Sequence, residues 1–367
     1  MRRALNVIVT AGLLGSGACF VGGDIDDIDD IDDIDDIDDI DDIGFKVTGF
    51  EVRDIEIPGT LHLEGLTVPA KLFVPILEEG ARPLPAVVVL HGSGGLFAMP
   101  DDTSVGRPCS PNLEPQFARW GERLARLGYI AIMPASHDAR GFCDYYDDRD
   151  RIPDDFDDPQ ERLLGRLYDT DAASRHLCAM PEVDCDRLGL LGFSHGASTV
   201  MLALHWQLRR ALGELGETLD LDLPVMPLPP GAPNFQVGIA YYPGCGLESV
   251  IHMGSDPDAD DPMDMYFPEA DLHVEHGSKD DLINDCSVEF GKGRRQLQSA
   301  TVARVDGLPD PYHIRVHHDA RHGFDNAGSE GTDEGSGSNR PADIHARDTA
   351  LTATLEHLSD YLGGARR

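Results

Sequence analysis

Basic residues are scarce in this sequence. Lys and Arg together number 30, against 66 Asp and Glu, and the formal net charge is −36 at pH 7. A surface of this sign repels the phosphates of nucleic acids and the anionic headgroups of lipids. The composition therefore argues against nucleic acid as a partner and against electrostatic attraction to a membrane.

The sequence also lacks long hydrophobic runs and closely spaced cysteine pairs. The apolar run at residues 4–14 is shorter than the roughly 20 residues that a membrane-spanning helix needs. There is no Cys-x-x-Cys pair, and the histidines between residues 313 and 322 have no carboxylate at a matching spacing. We therefore expect no metal site and no cofactor. The histidines concerned are His313, His317, His318 and His322.

Residues 1–23 predict an export signal. Arg2 and Arg3 precede the apolar run, and small residues lead to Cys19. The Gly-Ala-Cys ending resembles a bacterial lipoprotein signal, which implies that Cys19 is lipidated; a plain secretory peptide cut near Ala18 is the alternative. We expect an exported bacterial protein, whether periplasmic, on the cell surface or secreted. It would meet a membrane only through such an N-terminal lipid anchor.

The next segment, residues 24–44, consists almost entirely of Ile-Asp-Asp triplets and carries thirteen aspartates without a basic residue. Like charges at this density repel, and one Ile in three cannot build a core. The segment is predicted to be an extended, disordered linker. Residues 45–367 are long enough for a large core, and we expect them to form one folded domain.

The cysteine count predicts disulfides. There are seven cysteines, and removing Cys19 leaves an even number in a chain that is expected to be exported. Cys178 and Cys185 are close enough along the chain to form a bridge. The other four can pair in three ways, which the sequence leaves open. They are Cys109, Cys143, Cys245 and Cys286.

Apolar strand-like runs alternate with stretches of helical periodicity between residues 86 and 208. This alternation predicts an α/β fold with a mostly parallel sheet that is covered by helices on both faces. Ligands bind such sheets at the carboxyl ends of the strands.

The Pro-rich segment 214–234 is either an irregular connection or a lid. Tyr241 and Tyr242, at the end of a later strand, either line a substrate pocket or only fill the core.

The segment 192–196, Gly-Phe-Ser-His-Gly, stands between a predicted strand and a predicted helix. Its glycines leave room for a strained turn that presents the Ser194 hydroxyl. The backbone N–H of His195, at the helix start, would then face an oxygen that becomes negative when Ser194 attacks. A Gly-rich turn after the strand 86–90 would supply the second donor, from Ser93 or alternatively from Gly94.

A serine hydroxyl needs a base, and the base needs an orienting acid. The candidate base is His322, which follows a predicted strand at residues 312–318. The candidate acid is Asp280 or its neighbour Asp281, with Asp325 more remote. The side chain of His195 is not expected to act as the base, because it cannot reach back to Ser194 without distortion.

Four motifs in this order resemble those of the dienelactone hydrolase family of the α/β-hydrolase superfamily. They are HGSGG at residue 91, GFSHG at 192, HGSKDD at 276 and HGFD at 322. The resemblance implies an α/β-hydrolase fold for residues 45–367 and a triad of Ser194, His322 and Asp280, with the acid four residues after His276. Dienelactone hydrolases proper use a cysteine nucleophile, so the serine here implies a carboxylic ester or lactone more generally.

Three functions are compatible with these motifs. The first is an exported serine esterase that acts on a small-molecule ester. The second is a prolyl-peptidase-like amide hydrolase, although the large propeller domain of many such enzymes is missing. The third is a surface-tethered binding protein on a catalytically retired hydrolase fold. The natural substrate and the oligomeric state do not follow from the sequence.

Overall fold

The computed structural model describes residues 46–59, 63, 65–78, 83–98, 109–154, 159–205, 233–245, 268–286, 311–326 and 340–363. The segments 1–23 and 24–44 lie outside these residues, as does nearly all of the Pro-rich segment 214–234. What the sequence predicts for them therefore stays a prediction.

Eight strands form one sheet in the order β1-β2-β4-β3-β5-β6-β7-β8. The second strand pairs antiparallel with both of its neighbours, β1 and β4, and all other neighbours pair parallel. The strands are β1 (Val47–Pro58), β2 (Thr67–Leu77), β3 (Leu84–Leu90), β4 (Ile130–Pro134), β5 (Val183–Phe193), β6 (Val237–Tyr241), β7 (Asp271–Gly277) and β8 (Tyr312–His317).

Helices cover both faces of this sheet. Along β3, which is buried throughout, Val88 joins one apolar cluster with helices α2 (Pro159–Ala179) and α3 (His195–Ala203). Val87 and Val89 join a second cluster with helices α1 (Pro115–Arg126) and α5 (Pro341–Leu362). Successive side chains of a strand point to opposite faces, so a strand between two helical layers is apolar at every position. The predicted α/β fold is confirmed. The described helices are α1 (Pro115–Arg126), α2 (Pro159–Ala179), α3 (His195–Ala203), α4 (Ile283–Cys286) and α5 (Pro341–Leu362).

The strand order reverses at β3. This strand lies between β4 and β5, so the chain leaves it toward one side of the sheet and later returns on the other. Such a reversal of strand order is where open α/β sheets bind ligands. The Gly-rich turn that follows β3 is therefore next to the segment that follows β5.

Disulfides join Cys178 to Cys185, Cys109 to Cys143, and Cys245 to Cys286. The first pair was predicted from its short spacing and is confirmed. The other two pairs are one of the three pairings that the sequence leaves open for these four cysteines. Disulfides of this kind favour an oxidising compartment. Within the part of the chain that the structure describes, no helix has the length and apolar character needed to cross a bilayer.

Three imidazole rings stack where β7, β8 and α5 meet. The ring of His273 lies 3.5 Å from that of His357 and 4.9 Å from that of His313, measured between centroids. Burial lowers the pKa of His273 to about 3, and the neighbouring charges of His357, His313 and Arg315 act in the same direction. Between pH about 6.5 and about 3, His273 is therefore protonated in the unfolded chain but neutral in the folded chain.

This stack predicts that stability falls in acid. Above pH about 6.5 the ring is neutral in both the folded and the unfolded chain, and His273 does not lower the free energy of unfolding. As the pH falls from 6.5 toward 3, proton uptake by the unfolded chain lowers this free energy progressively. Because the ring is partly exposed, we expect a loss of about 1–3 kcal/mol in the free energy of unfolding between pH 7 and pH 4. Urea unfolding should show a flatter pH dependence for His273→Gln than for wild type. The control is His318→Gln, because the side chain of His318 is 91% exposed; equal slopes for wild type and His273→Gln would contradict the prediction.

Candidate active site

Ser194 occupies a strained turn between β5 and α3. Its backbone has φ 50° and ψ −116°, a conformation that residues with a side chain rarely adopt. The N–H of Ser194 donates a hydrogen bond of 2.9 Å to the carbonyl oxygen of Tyr241, which holds the turn against the end of β6. A non-glycine residue kept in such a conformation marks a position whose side-chain direction matters.

Two glycines make this turn possible. A Cβ added at Gly192 would overlap the carbonyl oxygen of Gly196. A Cβ added at Gly196 would overlap the carbonyl oxygens of Leu90 and His91, at the end of β3. Only glycine permits this approach, which brings the start of α3 into contact with the turn after β3.

Ser194, His322 and Asp280 form one chain of hydrogen bonds. The Oγ of Ser194 lies 2.9 Å from Nε2 of His322, and Nδ1 of the same ring lies 2.6 Å from Oδ2 of Asp280. In the tautomer in which Nδ1–H donates to the carboxylate, Nε2 accepts the hydrogen of the serine hydroxyl. The side chain of His322 is 42% exposed, so a ligand can approach the Ser194 end of the chain.

The two other candidate acids make different contacts. Asp281 is exposed, and its carbonyl oxygen accepts a hydrogen bond of 2.9 Å from the side chain of Asn284. Asp325 accepts hydrogen bonds from the hydroxyl of Tyr242 and, at 2.6 Å, from Nε2 of Gln116. Of the three carboxylates, Asp280 is the one that contacts His322.

The environment of Asp280 keeps it ionised. Burial, the largest single effect, would raise the pKa of this carboxyl, but the hydrogen bond and charge of His322 together with His276 and the N–H of Leu282 outweigh it. The pKa of Asp280 therefore lies below its ordinary value. The Leu282 N–H donates to Oδ1 at 3.0 Å, which leaves Oδ2 for the imidazole. A carboxylate fixed in this way sets the tautomer and the orientation of the ring it contacts.

The side chain of His195 is held by α2 rather than by Ser194. Its Nδ1 lies 2.6 Å from Nη1 of Arg166, and Nη2 of this arginine donates to the carbonyl oxygen of His91. Since a guanidinium is always a donor, Nδ1 of His195 is unprotonated. Arg166 therefore joins the residue after Ser194 to the first residue of the turn that follows β3.

The turn that carries Ser93 lies beside Ser194. A Cβ added at Gly92 would be 3.5 Å from the Cβ of Ser194. His195 is the first residue of α3 and follows Ser194 directly. Of the two residues predicted to offer backbone N–H groups, His195 adjoins Ser194 and Ser93 follows Gly92 directly; their role as donors stays a prediction.

Sequence reasoning missed Arg166 and left Tyr242 open between pocket lining and core. Arg166 is fully buried, and burial lowers its pKa to about 9 despite the opposite effect of Asp169. An arginine within a helical stretch gives no sign that it turns inward. For Tyr242 a signal existed, since it is a tyrosine directly after a strand end and before Pro243-Gly244.

Comparison with known proteins assigns residues 75–221 to the dienelactone hydrolase family. This range includes the turn after β3 and the Ser194 turn, whereas Asp280 and His322 lie beyond it. No curated protein matches the sequence.

Two solved structures are similar to the chain over most of its length. A dienelactone hydrolase-like promiscuous phosphotriesterase from metagenomic libraries has a TM-score of 0.52 at 18% identity, covering 85% of this chain and 99% of its own. A structure named m3DLH has a TM-score of 0.50 at 18% identity, with the same two coverages of 85% and 99%. At this level of identity the similarity shows the fold alone. Residues 75–221 therefore match the dienelactone hydrolase family, and the chain has the α/β fold that these solved structures share.

Proposed function

We propose that this protein is an exported serine hydrolase that cleaves a carboxylic ester or lactone through Ser194, His322 and Asp280. The observation that carries the proposal is the continuous hydrogen-bond chain from Asp280 through His322 to Ser194. It ends on a serine held in a strained turn, as a nucleophile at the carboxyl end of a strand requires. The disulfides support the exported location.

In the proposed reaction, Oγ of Ser194 attacks the carbonyl carbon of the ester while Nε2 of His322 takes the hydroxyl proton. The electron pair of the C=O bond moves to oxygen and gives a tetrahedral oxyanion. The oxyanion collapses, the C–O bond to the alcohol breaks, and the alcohol leaves with the proton from His322. Water then attacks the acyl-enzyme through the same two steps, which release the acid and restore the serine. Asp280 stabilises the imidazolium in both halves.

The oxyanion would be stabilised by the backbone N–H groups of His195 and Ser93, with Gly94 as the alternative second donor. Removal of one such donor typically costs about 10²–10³ in kcat, so the relative position of the two turns matters. Arg166 supports this assignment because it hydrogen-bonds both His195 and His91. Arg166 would hold the start of α3, which carries the His195 N–H, next to the turn after β3, which carries the Ser93 N–H.

The experiment that tests the proposal uses a fluorophosphonate probe and p-nitrophenyl esters of increasing chain length. We expect the folded protein with intact disulfides to be labelled once, and peptide mapping to find the adduct on Ser194. The chain-length profile of kcat/KM would define the size of the acyl pocket. If the folded protein gave neither labelling nor turnover, the proposal would fail in favour of a binding protein on this fold.

A further inference from the structure

The proposed reaction leaves Tyr242 without a role, although its ring contacts His322. Its centroid lies 4.6 Å from that of the imidazole, with 57° between the ring planes. We infer that Tyr242 is a positioning residue that holds the face of His322 through a hydrogen bond to Asp325. This inference rests on the proposed function, because it assigns a task within the same site.

The backbone of Tyr242 is as unusual as that of Ser194. Its φ is 42°, in the left-handed region that residues other than glycine rarely adopt. Its N–H donates to the carbonyl oxygen of Glu275 in β7 at 2.8 Å. A strained residue directly after β6, in contact with the candidate base, indicates that the direction of its side chain matters.

The hydroxyl of Tyr242 fixes the ring at its far end. It donates to Oδ1 of Asp325, and Oδ2 of the same carboxylate accepts a hydrogen bond of 2.6 Å from Gln116 in α1. Asp325 follows His322 by three residues, in the short helical turn Phe324–Asn326. The tyrosine is therefore attached to the segment that carries the histidine, and that segment is attached to α1.

This arrangement adds a restraint that acts out of the plane of the His322 ring. The hydrogen bonds to Ser194 and Asp280 lie in the plane of the imidazole, at its two nitrogens. They oppose a tilt of the ring about the line joining those nitrogens less than they oppose a displacement within its plane. A neighbouring ring at 4.6 Å opposes that tilt from one face. Because a misplacement of about 1 Å can cost about 10²-fold in rate, this contact should affect kcat.

The neighbouring tyrosine provides a matched control. Tyr241 is also buried, and its hydroxyl forms a hydrogen bond of 2.7 Å with Oγ1 of Thr354 in α5. Tyr241→Phe and Tyr242→Phe each remove one buried, hydrogen-bonded hydroxyl and keep the aromatic ring. A purely structural role predicts the same effect from both substitutions, whereas a positioning role predicts that only the second lowers kcat.

The test measures kcat and KM with a p-nitrophenyl ester, after titration of active sites with the phosphonate probe. We expect Tyr242→Phe to lower kcat by about 10-fold with KM within twofold of wild type, and Tyr241→Phe to leave both within twofold. The rate of phosphonate labelling should fall in parallel with kcat. Equal kcat values for the two variants would overturn the inference. Turnover and Ser194 labelling in wild type are measured separately, so this failure is distinct from failure of the proposed function.

A second variant keeps the test valid if Tyr242→Phe folds poorly. Gln116 belongs to α1 and is half-buried, and it hydrogen-bonds both Asp325 and the hydroxyl of Tyr242. Gln116→Met removes these two hydrogen bonds and leaves the side chains of Tyr242 and His322 unchanged. We expect kcat to fall by about threefold at unchanged KM. An unchanged kcat in this variant would also count against the inference, because Asp325 would then need no fixed orientation.

Discussion

Ser194→Ala is expected to lower kcat for ester hydrolysis by about 10⁴- to 10⁶-fold while the protein stays folded. The substitution removes the only atom that can form the acyl-enzyme in the proposed reaction, Oγ of Ser194. The loss should not reach the uncatalysed rate, since the oxyanion donors and the binding of substrate remain. The measurement is kcat on the best p-nitrophenyl ester, together with the rate of phosphonate labelling.

Ser198 provides the matched control. It lies one turn further along α3, is buried, and forms a hydrogen bond of 2.9 Å from its hydroxyl to the carbonyl oxygen of Gly244. Ser198→Ala should keep labelling and should keep kcat within a few-fold of wild type. Thermal unfolding should show that Ser194→Ala retains its fold, because the lost hydroxyl faces the site and not the core. Undiminished turnover in folded Ser194→Ala would remove serine catalysis from the protein.

The Ser194 turn could be predicted from the sequence because its geometry is local. Glycines two residues before and two residues after the serine, between a strand and a helix, specify a backbone that only glycine permits. The Cys178–Cys185 bridge was predictable for the same reason, since only six residues separate its ends. In both cases the deciding contacts lie within a few residues of one another.

Long-range contacts decided what the sequence left open. The choice between Asp280 and Asp281 depends on which of two adjacent side chains the loop after β7 turns toward His322, and spacing does not encode that direction. The pairs Cys109–Cys143 and Cys245–Cys286 depend on which segments, 34 and 41 positions apart along the chain, the fold brings together. The hydrogen bond between Gln116 and Asp325 joins residues 209 positions apart.

Buried charge was the least predictable property of the site. Arg166 lies in α2 with the polar and apolar pattern of an ordinary helix, and nothing in its neighbours along the chain indicates that it is fully buried. The reason for burying Arg166 is its hydrogen bonds to His91 and His195, and these two residues come together only in the folded chain. Periodicity predicts which face of a helix turns inward, but it does not predict a charged residue that joins two distant turns.

Asp280→Asn is expected to lower kcat by about 10³- to 10⁴-fold at little cost in stability. The reason is the tautomer of His322. The N–H of Leu282 donates to Oδ1 of Asp280, so the amide oxygen of an asparagine would take that position and its NH₂ group would face Nδ1 of His322. The imidazole would then carry its proton on Nε2. A protonated Nε2 has no free lone pair and cannot accept the proton of Ser194.

Asp281→Asn is the control for this prediction, because it makes the same chemical change one residue further along the same loop. Asp281 is exposed and does not contact His322 in the described structure, so kcat should stay within twofold of wild type. Both variants lose one negative charge near the site, which separates the tautomer effect from a general change in the electrostatic field. A large loss in Asp281→Asn with little change in Asp280→Asn would reverse the assignment of the acid. Equal losses in the two variants would indicate that the net charge of the loop, and not the hydrogen bond to Nδ1, supports the base.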